Sequence, residues 1–463
     1  MKNTAEQQFE KMTGTPIPRL IIKLAIPTII SMMITNIYNI VDTAFVGRLG
    51  TSASGAVGVV FGLMAIIQAF GFLFGQGSGS VISRLLGHKK TEEAISTAST
   101  AFFCSLIVGA VISVFGLVTI DSLVMWLGST ETIAPYAKTY MRYILIAAPF
   151  MTTSFTMNNI LRYEGKAALG MVGLLFGSIL NIAGDYILMF GLNMGIAGAG
   201  LATCMGQILS WGILLAMFLK GRATSRISPS RVTFTYAMIS EIVLTGLPSL
   251  LRQFLNSFST ILLNQLSAPY GDEAVAAMAI VSRIVFVVFS IALGVGQGFQ
   301  PVCAFNYGAG KYGRVRKAIW FTLTVGMIVM TAAALITMQI PDQIIRVLRD
   351  DPNVIRIGHR ALILQMIMLP ALPLSVVSEM TFQCTGKKLG AAIISSMRNG
   401  IFLIPLLMIL SRTRGLMGIQ EAQPAAYGLT FIAAIFFFIW YMKNLPREDA
   451  DSQNTGGSIG NQS

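Results

Sequence analysis

The chain has 463 residues, of which 54% are hydrophobic and only 11% are charged, and its mean hydropathy is +0.70. This composition excludes an ordinary soluble domain and is typical of a membrane protein that crosses the bilayer many times. The net charge of +13 does not indicate nucleic-acid binding, because the Lys and Arg residues cluster in the loops of one membrane side.

Apolar runs recur along the chain, each long enough to cross a hydrocarbon layer of about 30 Å as a helix. They predict an all-α polytopic membrane protein with twelve transmembrane helices and no soluble domain. The predicted spans are 19–46, 55–79, 94–120, 136–160, 167–192, 194–219, 237–268, 274–301, 318–340, 355–384, 389–411 and 422–442.

Basic residues predict the orientation. They concentrate in the loops 84–90, 220–231 and 311–317, which follow the second, sixth and eighth spans. The positive-inside rule therefore places these loops and both termini in the cytoplasm, with the protein in the cell membrane.

An internal repeat divides the spans into two halves. Residues match at a spacing of 221 and, after one deletion, of 220; the pairs include Pro27 and Pro248, Gly75 and Gly296, Gly87 and Gly308, Pro149 and Pro370, and Gly198 and Gly418. Six spans per repeat return the chain to the same membrane side. We therefore expect two six-helix lobes related by a pseudo-two-fold along the membrane normal, an arrangement typical of transporters with a cavity between the halves.

The repeat gives the predicted domain boundaries. The first lobe covers 1–219 with the candidate cation site, and a basic cytoplasmic linker covers 220–236. The second lobe covers 237–442, and a polar tail at 443–463 is predicted to be disordered.

Three acidic residues lie well inside predicted spans: Asp42, Asp185 and Glu379. An Asp at a helix centre costs about 2.5–3.5 kcal/mol on insertion scales, so such residues are candidates for function. The repeat maps Asp42 to Leu263 and Asp185 to Pro405. The two aspartates therefore belong to the first half alone.

Polar residues accompany Asp42 on the first span. Thr35, Tyr38 and Asn39 precede it at spacings that place their oxygens and amide along one helical face. Pro27, earlier in the same span, removes a backbone hydrogen bond and predicts a bend. Because Pro248 occupies the same place in the second repeat, a structural role in the scaffold is part of the explanation for this proline. The functional alternative is a bend that responds to ion binding at Asp42.

Polar residues on three further spans could join the aspartates. Asn181 and Asp185 share a face of the fifth span, Thr203 lies on the sixth and Tyr140 on the fourth. Oxygen ligands suit Na⁺, and two neighbouring carboxylates in a low-dielectric interior favour uptake of a proton by one of them. Packing alone, with each Asp bonded to a neighbouring helix, is the alternative.

Other charged residues in the spans are weaker candidates. Glu379 lies close to a basic cytoplasmic turn, so we expect snorkelling or pairing with an arginine. Four arginines also fall within spans: Arg142, Arg252, Arg283 and Arg398. Their two alternative roles are as counter-ions to Asp or Glu and in substrate exclusion.

Several chemistries are excluded. The two histidines, His88 and His359, lie in a loop and near a span end, and the four cysteines are single, so we expect no metal centre based on them and no disulfide framework. No Walker A loop follows the glycines of FGQGSGS at 74–80. We expect no cofactor, and an ion gradient as the energy source.

Three segments resemble the MATE (multidrug and toxic compound extrusion) family of transporters: IPTIISMMITNIYNIVDTAFVGRLG at 26–50, MNNILRYEGKAALGM at 157–171 and NIAGDYILMFGLNMGIAGAGLATCMGQ at 181–207. The resemblance implies cation-coupled export of drugs and other organic, often cationic, compounds. It also implies an ion site at Asp42, Asn181 and Asp185, with Thr203 and Tyr140 beside it, and a helix bend at Pro27.

The resemblance is less complete in the second half. Pro373 and Gln253 stand where a branch of the family with acids in its second lobe carries Asp and Glu, so a cation site there is not expected. A Na⁺ site would use Asp42, Asn181, Asp185 and Thr203. The expected partners are small-molecule substrates and membrane lipids, with no nucleic acid, and the expected state is a monomer.

Two alternatives remain open. A flippase for lipid-linked saccharides, from the same superfamily, would show Arg252, Arg283 and Arg398 grouped in a cationic cavity. A membrane enzyme would need acidic or histidine groups with metal-like spacing in an interfacial loop, and the sequence shows none.

Overall fold

The computed structural model describes residues 2–447 and 449, and these residues form helices joined by short turns. The first half contains α1 (Lys2–Gly14), α2 (Ile17–Gly47), α3 (Thr51–Gly87), α4 (Thr91–Val118), α5 (Ile120–Trp126), α6 (Ala134–Tyr163), α7 (Ala167–Gly184), a π-helical turn (Asp185–Gly191) and α8 (Ile196–Leu219). The second half contains α9 (Tyr236–Ser267), α10 (Asp272–Gly308), α11 (Tyr312–Gln339), α12 (Pro341–Leu348), α13 (Pro352–Met368), α14 (Leu372–Cys384), α15 (Lys388–Ser396), a second π-helical turn (Met397–Ile401), α16 (Leu403–Arg414) and α17 (Leu416–Asn444).

Eleven helical segments in the described chain are long and apolar enough to cross a membrane. Helix α9, which corresponds to the seventh predicted span, is not among these eleven. It is 32 residues long, but its sequence carries Glu241, Arg252 and Asn256, which lower its apolar character. The predicted spans agree with these helices to within a few residues at most ends.

The helices pack into two compact units whose limits fall inside helices. Unit 1 contains the chain up to residue 10 and residues 30–250, and unit 2 contains 11–29 and the chain from 251 onward. The divisions at 29/30 and 250/251 are separated by the repeat spacing of 221. Helices α2 and α9 therefore each contribute their first part to one unit and their remainder to the other.

A row of glycines brings α3 close to α6 in unit 1. A Cβ added at any of them would lie 2.3 to 2.9 Å from the facing side chain. The facing pairs, four residues apart on both helices, are Gly71 with Phe155, Gly75 with Asn159, and Gly79 with Tyr163. Small residues at this spacing allow close helix packing in membranes, which explains the FGQGSGS segment without a ligand.

The first part of α9 crosses α3 through a second pair of glycines. A Cβ at Gly246 would lie 1.9 Å from the Leu73 carbonyl oxygen, and one at Gly77 would lie 2.2 Å from the Ile242 oxygen. In unit 2, a Cβ at Gly298, the repeat mate of Gly77, would lie 2.7 Å from the Ala25 nitrogen. The same close crossing therefore occurs once in each unit.

Polar contacts hold the α9 crossing in place. Ser249 donates to Oε1 of Gln76 at 2.8 Å, and Arg84 pairs with Glu241 at 3.0 Å. Gln76 stands between the two packing glycines of the GQG triplet. The triplet thus supplies both the space and the hydrogen bond that the crossing needs.

A buried carboxylate anchors the basic linker to unit 1. Glu164, at the end of α6, accepts hydrogen bonds from the backbone nitrogens of Thr224 and Ser225 and from the Ser225 hydroxyl. Burial raises the pKa of Glu164, while Lys166 and the donors of Ser225 and Thr224 act in the opposite direction. The first part of the linker is therefore fixed structure. Of the predicted tail, Lys443 and Asn444 end α17, and residues 450–463 lie outside the described residues.

Candidate functional site

Asp42 and Asp185 lie side by side in unit 1. Their side chains interact directly, close enough to share a hydrogen bond once one of them carries a proton. Aromatic packing fixes the approach of the two segments: Phe45, one turn after Asp42, contacts Tyr186 and Phe190 with ring centroids 6.4 and 5.9 Å apart. The two carboxylates are therefore held together by the helices that carry them.

Side chains from three further segments surround the aspartates. Asn181 donates through Nδ2 to Oγ1 of Thr203 at 3.1 Å, and the Tyr140 hydroxyl lies 3.5 Å from the same Thr203 oxygen. Tyr140 also interacts with Asp42. The fourth, fifth and sixth spans thus bring the polar groups predicted for them to the two carboxylates.

Several oxygens at this site lack hydrogen-bond donors. Among the described residues, Oδ1 of Asp42, both carboxylate oxygens of Asp185 and Oδ1 of Asn181 are buried without a partner. Asp185 is fully buried and Asp42 is 4% exposed. An unpaired buried carboxylate is strongly unfavourable, so this cluster calls for a proton or a cation.

The remaining polar residues of α2 differ in position. Tyr38 lies near both aspartates. The Asn39 side chain makes no hydrogen bond to another described residue. Its backbone oxygen accepts a hydrogen bond from the Thr43 hydroxyl at 2.7 Å. Asn36, which is not among the predicted site residues, has a buried Nδ2 with no acceptor in the described chain. Its position beside Thr35, Tyr38 and Asn39 in the same span was the available signal.

Close packing of α7 and α8 positions the fifth-span residues. A Cβ at Gly177 would lie 2.7 Å from the Gly206 oxygen, and a Cβ at Gly198 would lie 2.8 Å from the backbone of Leu188. Asn181 follows Gly177 by one turn and so faces Thr203. Asp185 begins a π-helical turn, a feature frequent at functional sites, and the sequence patterns described above do not predict it.

The donor set fits Na⁺ or H⁺. It consists of carboxylate, amide and hydroxyl oxygens, which are hard ligands. No group of three or more His, Cys, Asp or Glu side chains with metal-binding geometry occurs in the described part of the chain. Asp42, Asn181, Asp185 and Thr203 are the residues that would hold Na⁺.

The charged residues predicted inside the other spans fall into three groups: an ion pair, two exposed arginines and one buried arginine. Arg252 pairs with Glu379 at 2.5 Å, which confirms the expected arginine partner of Glu379. Arg142 and Arg283 are exposed. Arg398 is 9% exposed and lies over the Phe289 ring at 4.7 Å.

Pro27 lies inside α2, which continues as one helix from Ile17 to Gly47. It belongs to the part of α2 that packs in unit 2, three residues before the division at 29/30. The predicted bend at this position stays a prediction.

Comparison with known families decides the assignment. The MatE family model matches residues 27–187 and again 248–409. The chain belongs to the MatE family. The two matches begin at Pro27 and Pro248, the repeat mates, and together cover more than half of the chain.

Relatives and solved structures agree with this membership. The chain is 26% identical over 440 residues to Multidrug export protein MepA of Staphylococcus haemolyticus, covering 95% of this chain and 97% of the relative. It is 27% identical over 439 residues to the protein of the same name from Staphylococcus aureus strain NCTC 8325, covering 94% and 96%. A crystal structure of a MATE in the straight conformation matches with a TM-score of 0.87 at 25% identity, covering 94% of this chain and 98% of that one.

These findings confirm several predictions. MatE proteins are transporters, so the membrane-enzyme alternative is excluded. The twelve-helix, two-lobe fold class is confirmed by the solved MATE structures. The chain is a multi-pass membrane protein.

Proposed function

We propose that this MatE protein is an antiporter that exports drugs and other organic, often cationic, compounds across the cell membrane in exchange for H⁺ or Na⁺. The observation that carries the proposal is the buried Asp42–Asp185 pair, in which Oδ1 of Asp42 and both carboxylate oxygens of Asp185 lack donors in the described chain. The multidrug export relatives support the substrate class.

Ion coupling follows from the cost of the two buried charges. With the site empty, two unpaired carboxylates repel each other; a proton on one of them, or Na⁺ between them, relieves this repulsion. Coupling requires that the ion bind two conformations with different affinity, and a difference of about 1.4 kcal/mol changes affinity tenfold. Ion occupancy at Asp42 and Asp185 therefore selects the conformation.

Helix α2 is the element through which the ion acts in this proposal. It carries Asp42 in its second part and Pro27 in its first. Pro27 lacks a backbone donor, so the helix bends there at lower cost than elsewhere. A bend that changes with ion occupancy at Asp42 connects the site to the rest of the helix.

The remaining features of the proposal are the cytoplasmic placement of both termini, a monomeric state, contacts with membrane lipids and no cofactor. The basic loops 84–90, 220–231 and 311–317 support the orientation.

A lipid-linked saccharide flippase is not favoured. Arg252 is neutralised by Glu379, so one of the three arginines that such a function would group together is accounted for otherwise. The relatives bear the name of export proteins.

Transport in proteoliposomes tests the proposal. The purified chain is reconstituted, ethidium is supplied, and a Na⁺ gradient and a pH gradient are imposed in separate experiments. We expect ethidium transport that one gradient drives and that stops when this gradient is collapsed. Equal rates with and without both gradients would contradict ion coupling.

A further inference from the structure

Arg398 is a charged side chain in the interior of unit 2. It belongs to the π-helical turn Met397–Ile401 in the eleventh span, and it is more than nine-tenths buried. A central Arg in a membrane span costs about 2.5–3.5 kcal/mol on insertion scales and is functional by default. Its charge therefore needs a partner.

The described residues supply no hydrogen-bond acceptor for the Arg398 guanidinium. The ionisable groups near it are Tyr427, Glu379 and Arg252. Glu379 is already bonded to Arg252 at 2.5 Å, so this pair is formally neutral. A single uncompensated positive charge remains, and a guanidinium presents five donors in a planar fork.

The turn that carries Arg398 is held firmly against α9. The Asn399 amide donates to Oδ1 of Asn256 at 3.3 Å, and the Ser259 hydroxyl donates to the Asn399 carbonyl oxygen. A Cβ at Gly400 would lie 2.8 Å from Leu255. The turn is thus fixed by contacts of Asn399 and Gly400, which use none of the guanidinium donors of Arg398.

An aromatic ring lies beside the guanidinium. Arg398 lies over the ring of Phe289, a residue of α10, with 4.7 Å between its guanidinium carbon and the ring centroid. The ring contact lowers the cost of the charge but leaves the in-plane donors of the guanidinium available.

We propose that Arg398 anchors an oxyanion subsite in the second lobe, which binds one carboxylate or phosphodiester group of a ligand. Bidentate binding of such a group uses the fork geometry and neutralises the charge. The carboxylate would come from a zwitterionic exported compound, and the phosphodiester from an anionic phospholipid. The first source rests on the proposed export function, and the second does not.

Binding measurements with matched ligands test this subsite. The full chain is purified in a maltoside detergent, which carries no phosphodiester, and the affinities of a zwitterionic fluoroquinolone and of its methyl ester, which lacks the carboxylate, are measured by calorimetry. The wild type is expected to bind the zwitterion about tenfold or more tightly than the ester, since a charge-assisted bidentate pair is worth more than 1.4 kcal/mol. Arg398→Gln should reduce this ratio to near one.

Two controls sharpen the result. Arg283→Gln removes an exposed arginine of the same unit and should keep the wild-type ratio. Arg398→Lys keeps the charge but lacks the planar guanidinium fork, so it should give an intermediate affinity ratio. This variant also tests the subsite if Arg398→Gln does not fold.

Phosphatidylglycerol added to the detergent micelles distinguishes the two sources. A ratio unaffected by this lipid identifies the ligand carboxylate as the occupant. A wild-type ratio that falls to that of Arg398→Gln identifies the lipid phosphodiester.

Equal wild-type affinities for zwitterion and ester without phosphatidylglycerol would overturn the subsite, as would an Arg398→Gln variant that keeps the wild-type ratio. Ethidium carries no carboxylate, so it does not need the subsite. Gradient-driven ethidium transport by the wild type therefore tests the proposed function separately.

Discussion

The hydroxyl of Thr203 is the acceptor on which the amide of Asn181 depends. Asn181 donates to it at 3.1 Å, and the Tyr140 hydroxyl lies 3.5 Å away. All three side chains are buried. This small network orients polar groups around two carboxylates that have few donors of their own.

Thr203→Val removes the hydroxyl while keeping the shape of the side chain. The Asn181 amide loses its acceptor, which costs about 1–3 kcal/mol for a buried polar group. We expect a lower affinity for the coupling ion, seen as a shift in the Na⁺ or H⁺ concentration that gives half-maximal transport. Thr430→Val is the matched control, because the buried Thr430 hydroxyl is bonded to Ala426 of its own helix. An unshifted half-maximal concentration in Thr203→Val would contradict this role.

For the Arg252–Glu379 pair, we predict the effect of single and double substitutions on the unfolding temperature. Its side chains are 12% and 5% exposed, and removing one partner of a buried pair leaves an uncompensated charge that costs about 3–5 kcal/mol. Arg252→Gln and Glu379→Gln should each lower the unfolding temperature in detergent, and the double variant should lower it less than either. A double variant whose loss equals the sum of the single losses would show that the pair does not act as a unit.

At the scale of helices, glycines decide which elements approach closely. Gly77 and Gly246 allow α9 to cross α3, and Gly177 and Gly206 allow α7 to approach α8. The second contact determines where Asn181 meets Thr203. The geometry of the candidate site therefore depends on residues that have no side chain.

Gly246→Ala tests the α9 crossing. An added methyl would meet the Leu73 carbonyl oxygen at 1.9 Å, and such overpacking costs about 1–3 kcal/mol. We expect a lower unfolding temperature although Ala favours helix by about 1 kcal/mol. Gly212→Ala in α8 faces open space and should leave the temperature equal or higher. Similar shifts of the same sign in both variants would rule out the steric explanation.

Sequence patterns predicted most of the helices because about 20 apolar residues in succession have few other folded states in a membrane. They also predicted Asp42, Asp185, Asn181, Thr203 and Tyr140 as one group, since polar residues inside spans stand out against lipid. Three features were not predictable in this way. The π-helical turn at Asp185, the division of α2 and α9 between units, and the linker anchor at Glu164 all depend on contacts distant in sequence.

At the scale of the whole molecule, the two repeats share their scaffold and differ in their charges. Both contain a close glycine crossing, at Gly77 and at Gly298, and both contain a π-helical turn in their fifth helix. Unit 1 buries Asp42, Asp185 and Glu164 together with Arg162, whereas unit 2 buries Arg398 and Glu379, the latter paired with Arg252. The two repeats thus share packing features and differ in their buried charges.

The central claim is that the carboxylates of unit 1 couple ion movement to export. The most direct test is ethidium transport in proteoliposomes under the gradient that drives the wild type, with Asp42→Asn and Asp185→Asn. Asp121→Asn, which changes an exposed carboxylate paired with Lys138, is the matched control. We expect each site variant to lose at least about nine-tenths of the gradient-driven rate, a tenfold effect that corresponds to about 1.4 kcal/mol, while Asp121→Asn keeps it. Wild-type rates in both site variants under the same gradient would contradict the coupling role of the two aspartates.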